Sequence, residues 1–203
     1  MVPEGMLSPG QNWTDRMILI VDLTNPEIRI LSDQFVSPVY RIVHQCDQET
    51  VAVRLEQICI SQSCIGIIIC GTALADSWYM QQQLIPLLEG WKGPVLGIST
   101  GMQMLLSETG GELQNYTGIG MTSVHVTDIG KKDPLMKGKE EFSGYVLHRY
   151  VTTPSPEWVP LATSGPTVQV AGHCTYPWYG VLFYPEVRNE WMIKRFIAFA
   201  RGF

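Results

Sequence analysis

Charge is scarce in this 203-residue chain, and what there is leans negative: 14 Lys and Arg stand against 19 Asp and Glu, a formal charge of -5. A protein that grips a phosphate backbone needs a clustered cationic face, so nucleic acid is not an expected partner. Long apolar runs are also missing. The longest, such as Ile65 to Cys70, fall far short of the roughly 20 residues that span a bilayer. Met1 to Arg16 lacks the basic start and apolar centre of a secretory leader. A cytoplasmic protein that does not associate with membranes is expected. Cysteine is confined to five positions, Cys46, Cys59, Cys64, Cys70 and Cys174, an odd set without a Cys-x-x-Cys motif. These read as reduced thiols. Cys59 and Cys64 are separated by four residues, but no second close Cys or His pair completes a site, so neither a metal nor another cofactor is expected.

What is present is apolar: 45% of the residues, enough for one substantial core. The expected organisation is an irregular arm over residues 1–16, rich in Pro and Gly, followed by one domain over 17–203. MILIVDL at 17–23 and CIGIIICG at 64–71 are short apolar runs of the kind that form strands buried on both faces. Between them, apolar spacing predicts a helix from Ile28 to about Val43 that Pro38 must kink or end. A helix from about Trp78 to Leu88, capped by Asp76 or Ser77, and a third buried strand at 94–98 come next. The helical segment MQMLLSE then runs to Thr109 and stops at Gly110 and Gly111. Short strands are expected at 118–127, 143–151, 167–174 and 180–184, and Asn189 caps a terminal helix over 190–201 whose apolar stripe should lie on the sheet. Parallel strands with helices, then antiparallel additions, make a three-layer α/β domain.

Gly97-Ile98-Ser99-Thr100-Gly101 has the form Gly-x-nucleophile-x-Gly between an apolar strand and a helix. A strand that turns sharply into a helix strains the central residue, and a side chain at either flanking glycine would strike neighbouring backbone. The central side chain then projects alone, while amides at the helix start face the same space and can hold a negative oxygen.

PVLGISTGMQMLL at 94–106 and YGVLFYPEV at 179–187 resemble the two signature segments of the class I glutamine amidotransferases, PVLGICxGMQ and GVQFHPE. IGIIICGTAL at 65–74 is similar to that family's strand and oxyanion loop, and DPLMKG at 133–138 to its DPLFxG. The resemblance runs from Met17 to Phe203 and is strongest to free-standing subunits such as those of archaeal GMP synthase. It implies a three-layer α/β/α, flavodoxin-like fold with a mostly parallel central sheet and added antiparallel strands. It also implies a glutamine-like small molecule as ligand and, as partner, a synthase or synthetase subunit; a homo-oligomer is a further expected assembly.

The departures fall on the catalytic residues that the resemblance assigns. Ser99 stands where the family has its cysteine and Tyr184 where it has its histidine; only Glu186 remains of the Cys-His-Glu set. A serine hydroxyl depends wholly on a base to remove its proton, and a phenol with an ordinary pKa near 10 does not serve. Glutaminase chemistry is therefore expected to be lost, leaving a ligand-binding or regulatory subunit. The alternative is an active amidotransferase or hydrolase using Ser99 with a relocated base, His148 or His173. Matching positions make Gly71, Thr72, Thr100, Gln103 and His148 the candidate ligand-binding residues. Thr72 replaces a glycine and can narrow the approach to Ser99, and Gln103 can equally be an ordinary helix residue facing solvent or a loop. His44 and His125 have no motif around them. Tyr176, Trp178, Tyr179 and Tyr184 can pack over the elbow, fill the core or present a partner surface. Lys131, Lys132, Lys137 and Lys139 read as a solvated loop.

Overall fold

The computed structural model describes residues 16–203, so the expected arm, but for Arg16, lies outside the described residues. In chain order come β1 (Met17–Asp22), α1 (Arg29–Phe35), α2 (Ser37–His44), β2 (Glu49–Arg54), β3 (Cys64–Ile69), β4 (Val95–Ile98) and α3 (Thr100–Glu108). Then follow β5 (Glu112–Val126), β6 (Glu141–Thr153), β7 (Trp158–Ser164), β8 (Thr167–His173), β9 (Trp178–Val181), α4 (Pro185–Arg188) and α5 (Glu190–Gly202). Short 3-10 turns occupy Leu55–Gln57, Trp78–Gln81, Ile85–Leu88 and Gly130–Lys132.

The nine strands form one sheet in the order β2-β1-β3-β4-β9-β8-β7-β5-β6. The first five are parallel, and the other four add to them antiparallel. This is the expected parallel centre with antiparallel additions. Every residue of β1 and β3 is buried, because other elements cover both faces of the parallel half. On one face Val39, Ile42 and Val43 of α2 and Ile193, Phe196 and Ile197 of α5 pack on Ile18, Ile20 and Ile68. On the other, Met102, Leu105 and Leu106 of α3 meet Leu19, Val21, Ile67 and Ile69. Each large side chain so buried contributes about 1.5–3 kcal/mol, enough to override the weak helix preference of the β-branched residues in α2.

The sheet curls so that its last strand returns towards its centre. Carbonyls on the outer edge of β6 accept hydrogen bonds from the segment after β9: Tyr145 from the Tyr184 amide at 2.8 Å, Ser143 from the Asn189 side chain at 2.9 Å. Tyr184 is thereby pinned between β6 and the parallel centre.

Several local expectations need correction. The helix over 28–43 is two helices, with Pro38 in the first turn of α2, where its missing amide hydrogen costs nothing. The helix over 78–88 is two 3-10 turns. The amides of Leu84 and Ile85 point to the Glu108 carboxylate at 2.9 Å instead of continuing a helix, and Pro86 has no amide to offer. Asn189 occupies the position before α5 but makes no side-chain cap; its amide bridges the Ser143 carbonyl and the Trp191 indole. β9 ends at Val181, three residues before Tyr184. β5 starts at Glu112, and β7 was not expected at all. Pro160 masks β7 in the sequence; the strand tolerates it beside a register shift, where a ladder bond is already lost.

Candidate active site

The strand-to-helix turn after β4 has the expected strained geometry. Ser99 takes φ 50° and ψ -106°, a conformation costly for a residue with a side chain. Its amide donates to the Val181 carbonyl at 2.7 Å, and its carbonyl accepts from the Gln103 amide at 3.0 Å. Both flanking glycines are sterically required. A Cβ on Gly101 would lie 2.5 Å from the Ile69 carbonyl oxygen, and one on Gly97 would lie 2.6 Å from the backbone of Gly101.

Ser99 itself is sealed. The residue is 0% exposed, and its Oγ is buried with no hydrogen-bond partner. What covers it is Tyr184, fully buried between the oxyanion-loop position and β6. A Cβ built on Gly71 would stand 2.8 Å from the Tyr184 ring and 3.1 Å from the Ser99 Cβ, so ring, glycine and serine share one close-packed space. The Tyr184 hydroxyl donates its proton to the Thr72 carbonyl at 2.8 Å. Burial pushes the phenol well above its ordinary pKa. The nearby Ser99 hydroxyl lowers it less, although its alignment falls short of a hydrogen bond.

Glu186 follows in the first turn of α4. The residue as a whole is half-buried, but its Oε2 is buried without a partner. Loss of hydration raises its pKa to about 8, against a smaller opposing effect of its own backbone amide. The carboxyl is therefore mostly neutral at pH 7. The Cys70 thiol, also buried, is raised by burial and by the nearby charges of Glu186 and Asp22.

The ligand-binding candidates gather one layer further out. Thr72, Thr100, Gln103 and His148 line one cleft together with Asp76, Tyr79 and Tyr150. Gly71, Ser99, Tyr184 and Glu186 do not line it. The free interior amounts to about 30 Å³, room for a water or two rather than for an amino acid, whose sites run to hundreds of Å³. Gln103 does not face solvent: it is buried, its Oε1 accepts from the Tyr79 hydroxyl at 3.2 Å and its Nε2 donates to the Tyr150 carbonyl at 2.9 Å. Thr72 donates to Asp76 Oδ2 at 2.5 Å, and that carboxylate also accepts the amides of Asn25 and Trp78. Asp76, read from sequence as a helix cap, thus ties down the loop before the 3-10 turn. Tyr79 and Tyr150 carried no sequence signal, since their role depends on where Gln103 points.

Neither histidine proposed as a relocated base hydrogen-bonds Ser99. His148 Nδ1 lies 3.0 Å from the Tyr116 carbonyl, an acceptor only, so that nitrogen carries the proton; burial lowers its pKa and keeps the ring neutral. His173 Nδ1 accepts the amides of Thr175 and Tyr176, and its ring packs among Trp158, Tyr176 and Trp178. Of the aromatic group, therefore, only Tyr184 covers the elbow. Tyr176 and Trp178 stack on each other, and Tyr179 packs edge-on against Phe199. His44 stacks on Tyr40, and exposed His125 faces Glu141. Lys131 and Lys132 are exposed, Lys131 pairing with Asp128, whereas Lys139 lies over the Trp191 ring at 4.7 Å. Among the described residues no group of three or more His, Cys, Asp or Glu side chains could hold a metal ion, and no helix is long and apolar enough to cross a membrane.

Comparison with known proteins agrees with this geometry. A free-standing chain of the glutamine-hydrolysing GMP synthase of Methanocaldococcus jannaschii, named as one of its subunits, is 30% identical over 140 residues, 66% of this chain and 71% of that one. The glutamine-hydrolysing GMP synthase of Thermotoga petrophila is 25% identical over 186 residues, 90% of this chain. The chain spans only 34% of that longer enzyme. Among solved structures, a protein from Thermoplasma acidophilum assigned as a GMP synthase subunit superposes with a TM-score of 0.74 at 19% identity, covering 92% of this chain and 94% of its own. That likeness establishes the fold. The family model for glutamine amidotransferase class-I matches residues 30–198, and the chain belongs to the class I glutamine amidotransferase family.

Proposed function

We propose that this chain is an amidotransferase-family subunit that does not hydrolyse glutamine and acts in the cytoplasm as a ligand-binding or regulatory partner of a synthase. One observation carries the proposal: the Ser99 hydroxyl is buried under Tyr184, with no group placed to take its proton. Acyl transfer from glutamine needs a nucleophile, a base beside it and room for the amide. Tyr184 already gives its proton to the Thr72 carbonyl, and burial disfavours its phenolate. Glu186, in the family's acid position, has no imidazole to orient and is itself mostly protonated. Members of a catalytic set act as a unit, so losing two of three forfeits several powers of ten in rate.

The same contacts favour a scaffolding or regulatory role over tight capture of free glutamine. The side-chain amide of Gln103 fills its hydrogen-bonding capacity within the protein, and the cleft beside it holds no more than a water or two. The relative from M. jannaschii is named as a subunit, and the much longer enzyme of T. petrophila has most of its length beyond the matched region; both support a partner chain. The domain boundary at residue 17 belongs to the same proposal. Ammonia release from glutamine by the purified chain tests it. The expected rate equals that of Ser99→Ala, and turnover lost in Ser99→Ala would refute it.

A further inference from the structure

A right-handed crossover between parallel strands usually carries a helix that covers the sheet. The connection from β2 to β3 passes β1 with only the 3-10 turn Leu55–Gln57, and residues 58–61 belong to neither helix nor strand. Thin cover leaves space. A cavity of about 150 Å³ lies there, walled by Met17, Leu19, Val51 and Val53 and by two sulfurs, Cys59 and Cys64. Cys59 is exposed on the crossover; Cys64 is buried at the foot of β3, paired in register with Met17. The Cys64 amide bonds back to the Ser61 carbonyl at 3.1 Å, so the chain between the two thiols folds on itself. The other cysteines lie away from this cavity.

We propose that Cys59 and Cys64 form a redox-active thiol pair that a small disulfide, such as glutathione disulfide, oxidises to an intramolecular bond across this cavity. The exposed Cys59 thiolate attacks one sulfur of the external disulfide, that S–S bond breaks, and the departing thiolate takes up a proton. Cys64 then releases its proton to solvent, its sulfur attacks the Cys59 sulfur, and the second external thiolate leaves. Two protein thiols are oxidised, and one external disulfide is reduced to two thiols. Burial raises the pKa of Cys64, so its step is the slower one. The new bond closes a ring over residues 59–64 within the part of the crossover that strand pairing does not hold, so the sheet register survives.

The test treats the reduced, full-length protein with glutathione disulfide, alkylates the remaining thiols under denaturing conditions and maps the tryptic peptide 55–92. The expected product has lost two hydrogen masses, carries a Cys59–Cys64 link and leaves Cys70 alkylated. Cys59→Ser, a change at an exposed position, should abolish the link, while Cys64→Val should trap glutathione on Cys59. Glutathione retained on Cys59 of the unmodified sequence with Cys64 still alkylatable would overturn the proposal, as would a link that uses Cys70. Should Cys64→Val fail to fold, the Cys59→Ser comparison alone decides.

Discussion

Replacing Glu186 by glutamine should change how stability depends on pH more than it changes stability itself. The carboxyl has a folded-state pKa of about 8 against an ordinary value of 4.5, because its buried oxygen has lost water and gained no partner. Between these values the native state keeps a proton that the unfolded chain has released. Its contribution is therefore fully present below about pH 4.5, falls as pH rises and is gone above about pH 8. A shift from 4.5 to about 8 corresponds to about 5 kcal/mol at most, at 1.36 kcal/mol per unit. Partial exposure of the residue admits water and screens the charge, which brings the expectation to about 2–4 kcal/mol. Glutamine has the same shape and no charge to bury. Asp133, also raised by burial, acts in the same direction, whereas His148 and His173, both lowered, act in the opposite one. All three cancel when the variant is compared with the parent. Urea unfolding at pH 5 and pH 9 measures the effect as a shift in midpoint at constant slope. Glu186→Gln should match the parent to within about 1 kcal/mol at pH 5 and exceed it by about 2–4 kcal/mol at pH 9. Parallel stability profiles for the two proteins would refute the assignment of a buried, neutral carboxyl.

Tyr184→Phe removes the donor to the Thr72 carbonyl and leaves that buried oxygen unpaired, which should cost about 1–3 kcal/mol in urea unfolding without producing glutaminase activity. Ser99→Ala deletes a buried hydroxyl that bonds to nothing, so stability should stay constant or rise by about 1 kcal/mol; a loss above 1 kcal/mol would mean that the hydroxyl has a hidden partner. Gly101→Ala drives a methyl into the Ile69 carbonyl, backbone against backbone. It should cost more than about 3 kcal/mol, or lower Tm by roughly 6–12 °C for a chain of this size.

The elbow was legible in the sequence because its requirements are local. Two glycines around Ser99 and an apolar strand before it leave few other geometries, and the structure returns the strained φ at that residue. The buried strands were legible for the same reason, as continuous apolar runs. β7 was not, since Pro160 argues against a strand unless a bulge is already present, and a bulge depends on the partner strand. The 3-10 turns at 78–88 were misread as a helix because their amides are claimed by Glu108, a residue of α3. The plug was half legible: substitution of Tyr184 signalled lost chemistry, but its burial against Gly71 and Ser99 depends on β6 curling back.

A serine without a base or an open approach should be inert, and a fluorophosphonate that phosphonylates only activated serines probes both conditions at once. Intact-mass measurement after incubation of the folded protein should find no adduct at Ser99. Stoichiometric labelling of Ser99 that stops on denaturation would contradict a sealed, inactive elbow.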